Sequence, residues 1–361
     1  MSYFLISCGG TGGHLSPGIA LAEALTEKGH QPILLISKKK VDATLSQKYP
    51  HLQFRAIPGT GFTWKPVGLV KCVYTQTQAF FNCLKLVRNF KPQAVIGFGG
   101  FTSAAIIIAA RLHRVRVCLH ESNHVPGLAM RTLGRFAQRI YLPPEVTLPH
   151  MPASKLVSIG MPVRREIKRM DKELCKQFFG LDPTKLVVGV LGGSQGALAL
   201  NDWARNHVEI LGKNEIQVLC VTGLGKGPDE TRETVSDKGV KIKSRFIGFC
   251  STMPEFLNAC DLVISRAGAG SIAELITCQV PSILIPYPQA ADNHQAANAA
   301  YFEKKGGCFV INQAELTRLD WDFLKACITD THLEKIRANL AILSQDNPCE
   351  VMIHDLTRSV S

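Results

Sequence analysis

One local order occurs twice in this chain and constrains the fold more than anything else in it. Tyr3 to Ser7 is a short apolar run followed by Cys8, Gly9, Gly10, Thr11, Gly12, Gly13 and His14. Leu186 to Leu191 is another, followed by Gly192, Gly193, Ser194, Gln195 and Gly196. Beyond each set of glycines the sequence takes on helical character, from about Pro17 in the first case. A buried strand that ends in glycines and runs straight into a helix belongs to parallel α/β layering, where the helix crosses back over the sheet to the next strand. Its recurrence in the second half implies two doubly wound, Rossmann-like domains facing each other across a cleft. The length, 361 residues, and an apolar content of 46% are enough for two cores.

Charge is divided unequally between the halves. Residues 1–163 hold 18 Lys and Arg against 5 Asp and Glu, a balance of +13, while residues 164–361 hold 23 against 24, a balance of −1. Whatever anion the protein attracts therefore meets the first half: nucleic acid, an anionic membrane face or a phosphorylated substrate. The twelve cysteines form no CxxC pair and read as reduced thiols rather than disulfides or a zinc site. The opening MSYFLISCGG lacks the basic start of an export signal. The long uncharged run Gln93 to Ala110 is broken by Gly97, Gly99 and Gly100, and reads as strand, glycine loop and helix rather than a membrane span.

In the first half, Gly12, Gly13 and their neighbours let the backbone approach a phosphate, and the helix start that follows favours negative charge. Dinucleotide binding is the rival; Lys38, Lys39 and Lys40 stand after the next strand, where an NAD site wants an acid, although lysines suit NADP. His14 is either a hydrogen-bonded structural group or, facing a cleft, a general base near neutral pH. Ala94 to Phe98, then Gly99, Gly100, Phe101, Thr102 and Ser103, make a second strand and anion cradle, or simply a tight turn. Val115 to Leu119 ends in His120, Glu121, Ser122 and Asn123, polar groups placed to enter a cleft. Val67 to Lys91 reads as a helix with two possible uses. It packs a core face with a solvated basic side, or it lays Leu69, Val73, Phe80 or Phe81 against lipid, with Trp64 at the interface and lysines on anionic headgroups.

A Gly-Pro turn at Gly160 to Arg165 marks the boundary, giving domains 1–163 and 164–361, and Arg164 at that hinge is either surface charge or a diphosphate ligand. In the second half, Leu262 to Ser265 is a strand, Arg266 to Gly270 a turn, and a helix is expected to start at Ser271. Ser271 and Glu274 have capping-box spacing, so Glu274 either caps or offers its carboxylate to a ribose diol. Ser282 to Ile285 is a further strand, and Asp292, Asn293, His294, Gln295 and Asn298 crowd after it, where ligands sit in open parallel sheets. Asp320 and Asp322 form a D-x-D string at an apparent helix start, where acidic residues are ordinary.

The segment Asp261 to Ala299 resembles the nucleotide-sugar donor site of GT-B glycosyltransferases. RAGAGSIAEL with AADNHQ is similar to the MurG family among them, as are GGTGGHLSPG, GFGGFTS and GGSQGA, in the same order along residues 5–300. The resemblance implies a GT-B fold with the last helix returning to the N-terminal domain. It also implies inverting transfer of N-acetylglucosamine from UDP-GlcNAc to a lipid-linked muramyl-pentapeptide in peptidoglycan synthesis. His14 would be the base; Thr11, Gly12, Gly13, Asn123, Arg164, Ser194, Cys250, Ala269, Gly270, Ser271, Ile272, Ala273, Glu274 and Gln295 would bind the donor, and Gly99 and Gly100 the acceptor. Two alignments are open for the uracil contact, one placing Phe249 and Cys250 on the family's F-I string, the other Phe246 and Ile247. Ser16, Ser122 and Met130 depart from the family pattern. No metal or other cofactor is implied. The expected partners are UDP-GlcNAc, the lipid-linked acceptor, an anionic membrane surface and other cell-wall synthesis or division proteins, with no nucleic acid. The expected location is peripheral, on the cytoplasmic face of the inner membrane. Transfer to another membrane lipid, or epimerisation of UDP-GlcNAc, would reuse the same donor motifs.

Overall fold

The computed structural model describes residues 1–361 apart from Thr11, 60–65, Phe101, Ser194, Gln195, Asp346 and 359–361. The chain divides into two compact units, Met1–Arg165 with Asp346–Ser361, and Glu166–Gln345.

Among the described residues the first unit has one seven-stranded parallel sheet. Its strands are β1 (Tyr3–Ser7), β2 (Gln31–Ile36), β3 (Gln53–Ala56), β4 (Ala94–Gly97), β5 (Arg116–His120), β6 (Arg139–Leu142) and β7 (Leu156–Ser158). They lie in the order β3-β2-β1-β4-β5-β6-β7. The strands are apolar along nearly their whole length because helices cover both faces. Phe4, Ile6, Leu34 and Ile96 pack on one side, and Leu5, Ile33, Val95 and Val117 on the other. From β1 the chain winds one way to β2 and β3 and then returns to β4 on the opposite side, so the order reverses between β1 and β4. That reversal opens a crevice at the carboxyl ends of those two strands.

The second unit repeats the plan with β8 (Leu186–Leu191), β9 (Ile216–Val221), β10 (Glu230–Val235), β11 (Lys241–Ile247), β12 (Leu262–Ser265), β13 (Ser282–Leu284) and β14 (Phe309–Val310). The order is β10-β11-β9-β8-β12-β13-β14, and the reversal falls between β8 and β12. β10 pairs antiparallel with β11. This hairpin was not anticipated, although the alternation along Lys241–Ile247, exposed and buried by turns, is the period-2 signature of a half-buried strand.

Helix Pro348–Thr357 belongs to the first unit. Asn347 caps it by accepting Glu350 N–H at 3.3 Å. Met352, Ile353 and Leu356 complete the core around β1 and β4, and Asp355 accepts a hydrogen bond from the buried Tyr141 hydroxyl at 3.3 Å. Arg164 and Arg165, placed in the second domain by the sequence, cluster with the first unit, where Arg165 pairs with Glu27.

Among the described residues no helix is long and apolar enough to cross a membrane; Gln93 to Ala110 contains β4 and the start of helix Thr102–Leu112. Helix Pro66–Phe90 turns Ala79, Cys83 and Val87 into the core and leaves Val70, Val73, Tyr74 and Phe81 exposed. Phe80, expected as a candidate for the lipid side, packs against the core instead. It is one residue from Phe81 and so about 100° around the helix. The side chain of Leu69 and all of Trp64 lie outside what the structure describes.

Candidate active site

The helix after β1 begins at Gly12, earlier than the expected Pro17, and therefore takes in Gly12, Gly13 and His14. Thr11 lies outside the described residues. His14 comes to rest on the second glycine loop. A Cβ built on Gly99 would stand 3.2 Å from His14 Nε2, and one on Gly100 would stand 3.3 Å from His14 Nδ1 and 3.1 Å from Gly9 O. Both glycines have positive φ, +98° and +73°, a region that side chains disfavour. The residues read as base and acceptor cradle are thus in one place, at the crevice between β1 and β4. Buried hydroxyls tie the two loops beneath the imidazole. Ser7 Oγ donates to Thr102 Oγ1 at 3.2 Å, Thr102 Oγ1 to Gly9 O at 3.1 Å, and Ser103 Oγ to Gly99 O at 2.7 Å.

At the end of β5, His120 is buried against Phe98, with ring centroids 5.1 Å apart. Burial pushes its pKa down to about 4; a hydrogen bond with the Gly160 backbone opposes the shift, and the proximity of His14 adds to it. His120 is thus neutral at pH 7. Glu121 does not point outward as a ligand. Its Oε1 accepts Ser122 N–H, Asn123 N–H and Asn123 Nδ2 at 2.9, 3.0 and 3.2 Å, and its Oε2 accepts Gly127 N–H at 2.8 Å. This carboxylate folds the loop that carries Asn123. Arg164 donates from Nη1 to the hydroxyl of the buried Tyr49 at 3.1 Å. From the lysine run after β2, Lys39 reaches the first glycine turn, where its Nζ donates to Gly10 O at 2.9 Å.

In the second unit, Ser194 and Gln195 lie outside the described residues. Around them Gly192, Gly193 and Gly196 make a turn at the end of β8, next to the reversal. The helix after β12 runs Ala269–Cys278 with Gly268 at its N-cap, φ −69° and ψ 139°. This start overturns the capping-box expectation. Ser271 falls inside the first turn and Glu274 a turn further along, out of register for a box. Ile272 N–H is bonded back to Gly268 O at 3.0 Å, and the amides of Ala269, Gly270 and Ser271 head the helix where its dipole favours an anion. Ile272 and Ala273 are buried, while Glu274 is partly accessible.

Gln295 sits on helix His294–Lys304, and its Oε1 accepts Tyr287 N–H at 2.9 Å. Arg266, expected in the glycine-bearing turn, lies beside this contact, 5.4 Å from the Tyr287 ring centroid. Its buried guanidinium donates to Ile285 O at 3.1 Å and Pro286 O at 3.3 Å and reaches Gln313, fixing the segment after β13. Asn298 Nδ2 donates to Ala267 O at 3.1 Å, holding the glycine turn to the same helix.

Cys250 and Ile247, the rival uracil contacts, line one hollow of about 430 Å³ with Phe178, Phe179, Phe249 and Arg245. Phe246 is fully buried beneath Arg205 and Arg232, whereas Phe249 is exposed. Both candidate contacts, Cys250 and Ile247, therefore open on the same hollow. Asp320 of the D-x-D string is a helix N-cap, accepting Phe323 N–H at 2.9 Å.

Comparison with known proteins agrees with this layout. The glycosyltransferase family 28 N-terminal domain matches residues 4–142 and the family 28 C-terminal domain residues 187–339. A relative from Opitutus terrae, a UDP-N-acetylglucosamine--N-acetylmuramyl-(pentapeptide) pyrophosphoryl-undecaprenol N-acetylglucosamine transferase, is 50% identical, over 99% of this chain and 94% of its own. The protein of that name from Protochlamydia amoebophila is 33% identical over 86% of this chain and 83% of its own. The crystal structure of Acinetobacter baumannii MurG superposes with a TM-score of 0.74 at 22% identity, covering 99% of this chain and all of that one. The chain belongs to the MurG family of GT-B glycosyltransferases.

Proposed function

We propose that the chain transfers N-acetylglucosamine from UDP-GlcNAc to the 4-hydroxyl of the muramyl residue in undecaprenyl-diphosphate-linked muramyl pentapeptide. The observation that carries this reading is His14 seated on Gly99 and Gly100 at the β1–β4 crevice. A glycine cradle suits an acceptor diphosphate, and an imidazole on its rim suits the removal of a hydroxyl proton. The muramyl oxygen attacks the anomeric carbon of the donor as its proton passes to His14. The bond from that carbon to the diphosphate oxygen breaks, UDP leaves with the electron pair, and the new link is β because attack comes from the face opposite UDP.

The amides heading helix Ala269–Cys278, Ser194 and Arg164 meet the charge on the departing diphosphate. Glu274 takes the ribose diol, Cys250 the uracil through its backbone, and Asn123 and Gln295 the sugar; no metal cofactor is required. The exposed stripe Val70, Val73, Tyr74 and Phe81, with Lys71, Lys85 and Arg88 exposed on the same helix, suits peripheral binding to an anionic membrane. On this reading the protein works at the cytoplasmic face of that membrane.

The test is transfer of labelled GlcNAc from UDP-GlcNAc to a lipid-linked muramyl acceptor, with and without a chelator. Wild type should form the disaccharide lipid in both conditions. His14→Ala should lose ~10²–10⁴-fold in kcat while its affinity for UDP is unchanged. Release of free sugar without lipid would point to epimerisation, and donor binding without turnover to a non-catalytic role; either would refute the proposal.

A further inference from the structure

Gly10, at φ +115°, joins β1 to the helix that carries His14, and the peptides on both sides of it are tied to one segment after β2. On one side Gly10 N–H donates to Asp42 Oδ2 at 2.8 Å; on the other Gly10 O accepts from Lys39 Nζ at 2.9 Å. Asp42 is fully buried, and the same oxygen also accepts Ser37 N–H at 2.9 Å and Ser37 Oγ at 2.6 Å. Its other oxygen, Oδ1, has no hydrogen-bond partner among the described residues. Gly9 is pressed against the same segment, since a Cβ there would lie 2.3 Å from Ser37 N. From Gly9 the contacts continue to Thr102 and to Gly100, against which His14 rests.

We propose that Asp42 is a positioning residue for transfer. Its Oδ2 fixes Gly10, and through the loop it fixes the place of the His14 imidazole over Gly99 and Gly100. Lys39 holds the carbonyl side of the same turn. The inference rests on the reading of His14 as the base, and Asp42 itself does not touch substrate. It also means that Gly10 N–H, which the glycine pattern offers to a phosphate, is already committed to a carboxylate of the protein.

Because a single oxygen does all the accepting, asparagine can set its amide oxygen in the Oδ2 position and its NH2 in the place of Oδ1. Asp42→Asn therefore keeps the geometry and removes the charge, whereas Asp42→Ala removes both. The experiment measures kcat and the UDP-GlcNAc KM in the lipid-acceptor assay, normalised to UDP-binding sites, together with the imidazole ¹⁵N resonances of His14. Asp42→Ala should move those resonances and lower kcat by ~30–100-fold, the scale of a displaced catalytic group, with the donor KM within about twofold. Asp42→Asn should leave the resonances near wild type and cost less than about tenfold. If Asp42→Ala does not fold, Lys39→Met decides, with the resonances expected to move and kcat to fall by about threefold or more. Unmoved resonances with unchanged kcat in the deciding variant overturn the proposal. So does an Asp42→Asn variant as inactive as Asp42→Ala with the resonances unmoved, since the charge itself would then be acting. A wild-type protein without transfer activity refutes the functional reading alone, because the resonances still test the positioning.

Discussion

Gly99→Ala tests whether the place of the His14 ring matters to turnover. A new methyl at Gly99 meets two penalties. The backbone stands at φ +98°, which costs an L residue roughly 1–2 kcal/mol. The Cβ would also lie 3.2 Å from His14 Nε2 and 3.6 Å from Cδ2, so the ring must retreat by a few tenths of an ångström. A misplacement of ~1 Å can cost ~10²-fold in rate, so about half that displacement should cost on the order of tenfold in kcat. The donor KM should stay within about twofold, because the Ala269–Glu274 helix start and Gln295 belong to the other unit. The control is Gly29→Ala, also at positive φ (+79°) but with no atom within 4 Å of the new Cβ. It should lower the melting temperature much as Gly99→Ala does and leave kcat alone. Both would be assayed by GlcNAc transfer below their melting transitions. If Gly99→Ala turns over like Gly29→Ala, then contact between His14 and the second glycine loop has no part in the chemistry.

Two further outcomes follow from buried and exposed groups. His120 titrates near its ordinary 6.5 when unfolded and at about 4 in the fold, so the unfolded chain binds the extra proton between those values. Stability should be intact above pH 6.5 and fall as the pH drops toward 4, by on the order of 3 kcal/mol. Chemical denaturation from pH 7 to pH 4 would read this, and an unchanged slope in His120→Phe would refute the assignment. Val73 and Phe81 are about 60% and 63% exposed, so Val73→Asp and Phe81→Asp should fold normally. Each should weaken sedimentation with phosphatidylglycerol vesicles by about tenfold or more, given ~1.5–3 kcal/mol for burying such a side chain; wild-type partitioning in both would show that lipid binds elsewhere.

What was legible in the sequence was the architecture at strand ends. Glycines are demanded where the backbone turns at positive φ or passes close to another segment, and that demand is written locally, as at Gly99, Gly100 and Gly196. What was not legible was burial of polar groups. Nothing around Asp42 distinguishes a carboxylate that bonds Gly10, 32 residues away, from one that faces water. His120 and Arg266 likewise owe their roles to contacts that exist only once the sheet has formed. Helix starts misled for a different reason. Ser271 carries the residue type that caps helices, yet Gly268 adopts the extended geometry of the N-cap without a side chain to announce it. On helix Pro66–Phe90 the apolar residues are numerous enough to cover two faces, so adjacency of Phe80 and Phe81 gave no basis for choosing between them.

The glycine turns after β8 and after β4 are glycine-rich for different physical reasons. In the second unit a Cβ at Gly196 would stand 2.0 Å from Thr222 O, and one at Gly192 would stand 2.2 Å from Ala197 N. Both obstacles are backbone, so the turn can accept no side chain without parting from the end of β9 or unwinding itself. At Gly99 and Gly100 the nearest atoms include a movable imidazole, at 3.2 and 3.3 Å. Lost transfer in a Gly196 variant would therefore report on the integrity of the second unit. At Gly99 the fold can tolerate the methyl while the ring cannot keep its place, so a substitution there bears on the chemistry.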